Sequence, residues 1–213
     1  MAELGFESVW FRQQSSEALK EWQDTLREMA DRGSLGASIL LGQKAIYGCG
    51  CENQIEETTN ALTWLEAAAE KWQHPTVFYL VHCLSHGLCS ALKSGDGVDK
   101  YEKQSNSFLL RAAQAGHAKA AYDVGCNHAC GFDGFSKDFP RAAAFMRYAG
   151  SLGWNPQSRC EVITHPMSIA RRKAKRMADS DMKLPDLAEE FGSQPYARIL
   201  AKSNYLGEGE QYH

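Results

Sequence analysis

Gly116-His117-Ala118-Lys119-Ala120-Ala121-Tyr122-Asp123-Val124-Gly125 opens the stretch that decides the fold. It runs on through Ala129-Cys130-Gly131, Gly134-Phe135-Ser136-Lys137-Asp138-Phe139 and Arg141-Ala142-Ala143-Ala144-Phe145-Met146-Arg147-Tyr148-Ala149-Gly150, and closes at Gly153. Ala118, Ala121, Tyr122, Val124 and Gly125 fall at helical spacing, so the first part reads as a helix with one buried face. Gly131 and Gly134 provide residues that take positive φ without a steric penalty, and they end that helix. Asp138 is placed to cap a second helix, with Pro140 in its first turn, where a missing N–H costs nothing. Ala142, Ala143, Phe145, Met146 and Ala149 form the buried face of this second helix. Small alanines on both faces let the two helices approach closely, which is the requirement of a tight helical hairpin.

The same spelling recurs upstream. Ala37-Ser38-Ile39-Leu40-Leu41-Gly42, a turn at Gly48-Cys49-Gly50 and Asn60 to Ala69 make one unit. Pro75 to His82, a turn at Gly95-Asp96-Gly97-Val98 and Ser107 to Gly116 make another, with a longer first helix. Ala69, Ala113 and Ala149 mark equivalent positions at a period within the roughly 20–50 residues of helical repeats. The organisation expected is a capping region over 1–32, built on an amphipathic helix from Ser16 to Arg32 with Leu19, Trp22, Leu26 and Met29 on one face. A repeat array over 33–155 follows, in units of about 33–73, 74–116 and 117–155. A helical extension and tail over 156–213 completes it, with helices at Pro166 to Met177, Pro185 to Phe191 and Pro195 to Tyr205, the last capped by Ser193.

Of the 213 residues, 44% are hydrophobic and 23% charged, the balance of a globular chain. Lys and Arg total 23 against 26 Asp and Glu, a formal charge of −3, which argues against a dedicated nucleic-acid binder. The first residues, Met1-Ala2-Glu3-Leu4-Gly5-Phe6-Glu7, are acidic and amphipathic, unlike a secretory signal. No apolar run approaches the roughly 20 residues of a membrane span, so no membrane association is expected. Seven cysteines with no repeating disulfide spacing point to reduced thiols and a cytoplasmic setting.

These units resemble the Sel-one-like repeat family, an α/α relative of the tetratricopeptide repeat. Its unit reads Ala-x-x-x-Tyr-x-Leu-Gly, a Gly-x-Gly-Val turn, Lys-Asp-Tyr, then Lys-Ala-x-x-Trp-Tyr-x-x-Ala-Ala-x-x-Gly-His. Ala118, Tyr122, Val124-Gly125, Lys137-Asp138-Phe139, Arg141-Ala142-Ala143, Phe145-Met146 and Gly153 match it. Gly95-Asp96-Gly97-Val98 with Ala112 to His117 match again, as do Leu41-Gly42, Trp64 and Ala68-Ala69. His82 stands where the pattern has glycine, and residues 156–213 match little. Together the repeat pattern and the resemblance imply an all-α fold, an α/α superhelical solenoid of about three hairpins with an N-terminal capping helix and a C-terminal helical extension.

Phosphate-cradling, nucleophile-elbow and zinc-protease motifs are all missing from the sequence, so no enzyme activity and no cofactor are expected. His82, Cys83, His86 and Cys89, with Cys126, His128 and Cys130 in the next unit, have spacing that zinc could use. Packing explains the same positions, and no metal is expected. Cys49, Cys51, Cys89 and Cys130 recur near first-helix ends and read as free thiols. Arg171, Arg172, Lys173, Lys175 and Arg176 form the one basic run, which reads as a solvated helix face because no aromatic residues interleave it. By resemblance to the tetratricopeptide groove, first-helix positions turned away from the second helix line the inner curve. These are Thr76, Tyr79, Cys83 and His86, then Lys119, Tyr122, Asp123 and Cys126, with Gln43 in the first unit. Tyr79, His86, Lys119, Tyr122 and Asp123 are the candidate partner-binding residues. The role expected is a scaffold or adaptor for a protein or peptide partner; the alternative is an immunity protein that neutralises a toxin or secreted effector.

Overall fold

Helix stops and caps act where the sequence places them. Gly131 adopts φ 73° and its N–H bonds back to the Asn127 carbonyl at 2.7 Å, while the Asp138 carboxylate accepts from the Arg141 N–H at 3.0 Å. The computed structural model describes residues 16–47, 54–92, 96–154 and 166–187. Among these lie the helices α1 (Ser16–Asp31), α2 (Leu35–Tyr47), α3 (Gln54–Trp72), α4 (Pro75–Leu92), α5 (Asp96–Gln114), α6 (Ala118–Cys130), α7 (Phe139–Ser151) and α8 (Pro166–Ala178), and no strand. The fold is all-α, with helices packed in adjacent pairs. No helix among the described residues is long and apolar enough to cross a membrane.

The chain forms two compact units, 1–72 and 73–213. In the first, α1 packs on α2 and α2 on α3. Leu26 and Ala30 of α1 meet Ala37 and Leu41 of α2, flanked by Trp22 and Trp64. The Trp64 indole N–H donates to the Asp31 carboxylate at 2.7 Å, and Arg27 reaches Glu57 at 2.7 Å, so α1 is tied to α3 as well.

In the second unit the hairpins α4/α5 and α6/α7 follow one another, and α8 packs on α6 and α7. Val77, Phe78, Val81 and Leu84 of α4, Leu109, Ala112 and Ala113 of α5, and Ala120, Ala121 and Val124 of α6 are buried. Gly125 sits where α6 crosses α7. A Cβ there would lie 2.9 Å from the Ala142 carbonyl oxygen and 2.9 Å from Met146 Cγ, so only glycine fits this approach without a shift. Ala174 and Ala178 of α8 close over Cys126, Ala129, Ala142 and Met146. The basic helix thus presents an apolar stripe inward and Arg172, Lys173 and Arg176 outward. Arg147 of α7 holds the far end of α8, donating to the Ala178 carbonyl at 2.9 Å and to that of Ser180 at 2.7 Å.

One expectation needs correction. Gly95-Asp96-Gly97-Val98 is not a turn throughout: α5 already begins at Asp96, and Gly97 lies inside its first turn. A Cβ there would meet the terminal Cδ1 of the exposed Leu92 at 3.1 Å, so only that side-chain end would have to give way. The predicted turn at 48–50, Cys49 and Cys51, and the helix at 195–205 with its cap Ser193 lie outside the described residues, as does most of the helix predicted at 185–191.

Candidate functional site

Tyr79 lies one turn into α4, and Lys119 and Asp123 occupy the first turns of α6, where i,i+4 spacing puts them on one face. The Tyr79 hydroxyl donates to Asp123 Oδ2 at 2.9 Å, and Lys119 Nζ donates to the same oxygen at 2.6 Å. Three of the five candidate residues therefore form one network joining the first helices of successive hairpins. Lys119 and Asp123 keep 28% of their side-chain surface open to solvent, so the network is half-buried rather than sealed.

The ring of Tyr79 stacks on His117, with centroids 4.3 Å apart and planes 17° apart. His117 is in turn fixed as the N-cap of α6, its Nδ1 accepting the Ala120 N–H at 3.2 Å. That bond requires an unprotonated Nδ1, which suits a neutral ring. Burial, and secondarily the neighbouring Lys119 charge, push the His117 pKa down to about 4, with Asp123 opposing. Burial likewise carries the Tyr79 phenol well above its usual range, and the Asp123 charge adds to the shift. The phenol stays protonated and remains a donor.

Tyr122 sits beside this network, its ring 6.1 Å from that of Trp154. Its hydroxyl hydrogen-bonds to Cys126, whose thiol is pushed up to about 12 by burial. The Cys83 thiol, hydrogen-bonded to Tyr79, is also raised, with burial the leading cause. Both thiols are protonated and unreactive at neutral pH. His86 is exposed, and its ring lies 6.1 Å from His82 on the same helix, two turns beyond the Tyr79–Asp123 contact. Thr76 is partly exposed at the start of α4, its N–H donating to His74 Nδ1 at 3.2 Å. Gln43 belongs to the other unit.

Two of the residues with zinc-like spacing, His82 and His128, are engaged in contacts of their own. His82 Nδ1 lies 2.9 Å from Ser105 Oγ and 3.1 Å from the Ser105 carbonyl oxygen. A serine at a histidine nitrogen is the pairing of nucleophilic catalysis, but Ser105 is only 2% exposed, and the contact stitches α4 to α5. His128 Nδ1 lies 3.0 Å from the Ser136 carbonyl oxygen, with Phe135 edge-on at 5.0 Å and Phe145 stacked at 5.9 Å. No group of three or more His, Cys, Asp or Glu side chains among the described residues could hold a metal ion.

Two residues of the site, His117 and Trp154, were not expected from the sequence. Each directly follows the closing glycine of its unit, Gly116 or Gly153, and a recurrent ring at that position is the signal that marks them. No protein-family model, no curated protein and no solved structure matches the chain.

Proposed function

We propose that this chain is a Sel-one-like repeat protein that acts as an interaction scaffold, holding a protein or peptide partner on the face built by α4 and α6. The observation that carries the reading is the convergence of Tyr79, Lys119 and Asp123 from two successive first helices onto one half-exposed network, with Tyr122 and Trp154 beside it. Core packing alone asks for apolar side chains at such positions. A partly open cluster of tyrosine, tryptophan and a charge pair has the composition that dominates binding energy at protein interfaces. The capped, stacked geometry also holds these side chains before any partner arrives, which lowers the ordering cost of association.

The test is affinity capture with the wild-type chain and with a variant carrying Tyr79→Phe, Lys119→Ala, Tyr122→Ala and Asp123→Asn. A partner retained by the wild type and weakened at least tenfold in the variant, with helical circular dichroism preserved, supports the reading. Unchanged affinity in the folded variant overturns it and moves attention to the outward side of α8. The nature of the captured protein separates the two roles: a regulatory component marks an adaptor, and a toxin marks an immunity protein.

A further inference from the structure

The ammonium of Lys119 lies 5.1 Å from the ring centroid of Tyr79 and 5.9 Å from that of Trp154, and it donates to the Asp123 carboxylate at 2.6 Å. Two electron-rich ring faces and one carboxylate around a single nitrogen make a cage for a cation. Its walls come from separate parts of the chain and each is held by a second contact. Tyr79 is backed by His117 at 4.3 Å, Asp123 is oriented by the Tyr79 hydroxyl at 2.9 Å, and Trp154 is flanked by Tyr122 at 6.1 Å. The occupant, by contrast, is a lysine of the protein's own helix, with 28% of its side chain open to solvent. If Lys119 swings outward, Asp123 and the rings are left facing each other without a positive charge.

We propose that Tyr79, Trp154 and Asp123 form a cation subsite for a basic side chain of the partner, a lysine, methylated lysine or arginine, and that Lys119 fills this subsite in the free protein as a built-in competitor. The assignment to a partner rests on the scaffold reading above; the cage itself does not. An intramolecular occupant is present at a high effective concentration, so it sets a threshold that a lone cation crosses poorly. A partner presenting a basic residue with further contacts on the α4 and α6 face displaces it. Lys119 then turns to solvent, where an acidic group of the same partner can meet it.

The full-length chain is titrated with tetramethylammonium chloride, with sodium chloride balancing ionic strength, and the Trp154 indole N–H is followed by NMR after assignment with Trp154→Phe. Lys119→Ala, and independently Lys119→Met, which keeps an apolar stem, are expected to bind tetramethylammonium roughly tenfold more tightly than the wild type. Adding Asp123→Asn to either variant should abolish the gain. The proposal is overturned if both folded variants bind no better than the wild type, or if sodium acetate rather than tetramethylammonium shifts Trp154 in the wild type, which would make this an anion site. Cation binding without any partner that depends on Tyr122 and Asp123 removes the scaffold reading and leaves the cage. Partner capture that survives the absence of cation binding does the reverse.

Discussion

Where α6 crosses α7, Gly125 presents no side chain and the backbones approach until a single Cβ would collide with the Ala142 carbonyl. In α4/α5 the equivalent position holds His82, whose ring occupies the space between helices and bonds to Ser105 at 2.9 Å. One crossing is held by close packing of alanines and a methionine, the other by a polar wedge. The two hairpins therefore share an order of helices while differing in what fills the crossing. A polar wedge is tolerated at such a crossing when its polar atoms find partners, because burying it unpaired would cost more than the packing returns. The same ring lies 5.7 Å from that of Tyr79, so the wedge also packs against the Tyr79–Asp123 network.

The strongest way to break this contrast is Gly125→Ala. The new methyl meets backbone rather than a movable side-chain end, and we expect a loss of about 3 kcal/mol in chemical denaturation despite the better helix propensity of alanine. Next is acid. His117 has a folded pKa of about 4 against an unfolded value near 6.5, so between these values the folded state binds fewer protons than the unfolded state. Its contribution is fully present above pH 6.5 and is lost as pH drops toward 4, about 2 kcal/mol by pH 5. Tyr79, Lys119, Asp123 and His74 are the titratable groups around it. His117→Asn keeps a capping acceptor and should flatten this part of the stability profile; a residual slope remains from His74 and His82, whose values burial also lowers. His82→Ala should cost less, about 1.5 kcal/mol, by stripping Ser105 Oγ of its ring partner. An unchanged denaturation midpoint would show that the wedge carries no weight. Smallest is Gly42→Ala in the first unit. There a Cβ meets no backbone but only the buried Leu65 side chain, Cδ1 at 2.6 Å and Cγ at 3.3 Å, so the leucine must repack and the net loss should be about 1 kcal/mol.

The boundaries of α6 and α7 were legible because Gly131, Asp138 and Pro140 are local signals whose effect needs no distant partner. The start of α5 was not, since Gly95 and Gly97 read as turn chemistry while the helix already begins at Asp96 and takes Gly97 into its first turn. Tyr79, Lys119 and Asp123 could be singled out because repeat register maps first-helix positions onto one face. That Lys119 and Asp123 would engage each other and Tyr79 was not visible: register names a face but not the rotamers on it. His117 and Trp154 share a position directly after a closing glycine, which marks them as equivalent, but that each ring packs against the α4 and α6 face depends on tertiary contact that spacing does not carry.

The seating of α8 on the last hairpin sets where the stack stops. A hairpin array is a one-dimensional assembly in which every unit offers its successor the surface it accepted from its predecessor, so an uncovered last face invites a second molecule to add head to tail. Ala174 and Ala178 occupy that face, Arg147 clamps the chain beyond them, and the outward side of the same helix is cationic. The helix thus works as a chain terminator in the polymer sense: it covers the apolar face of the last hairpin with Ala174 and Ala178 and turns a charged side outward.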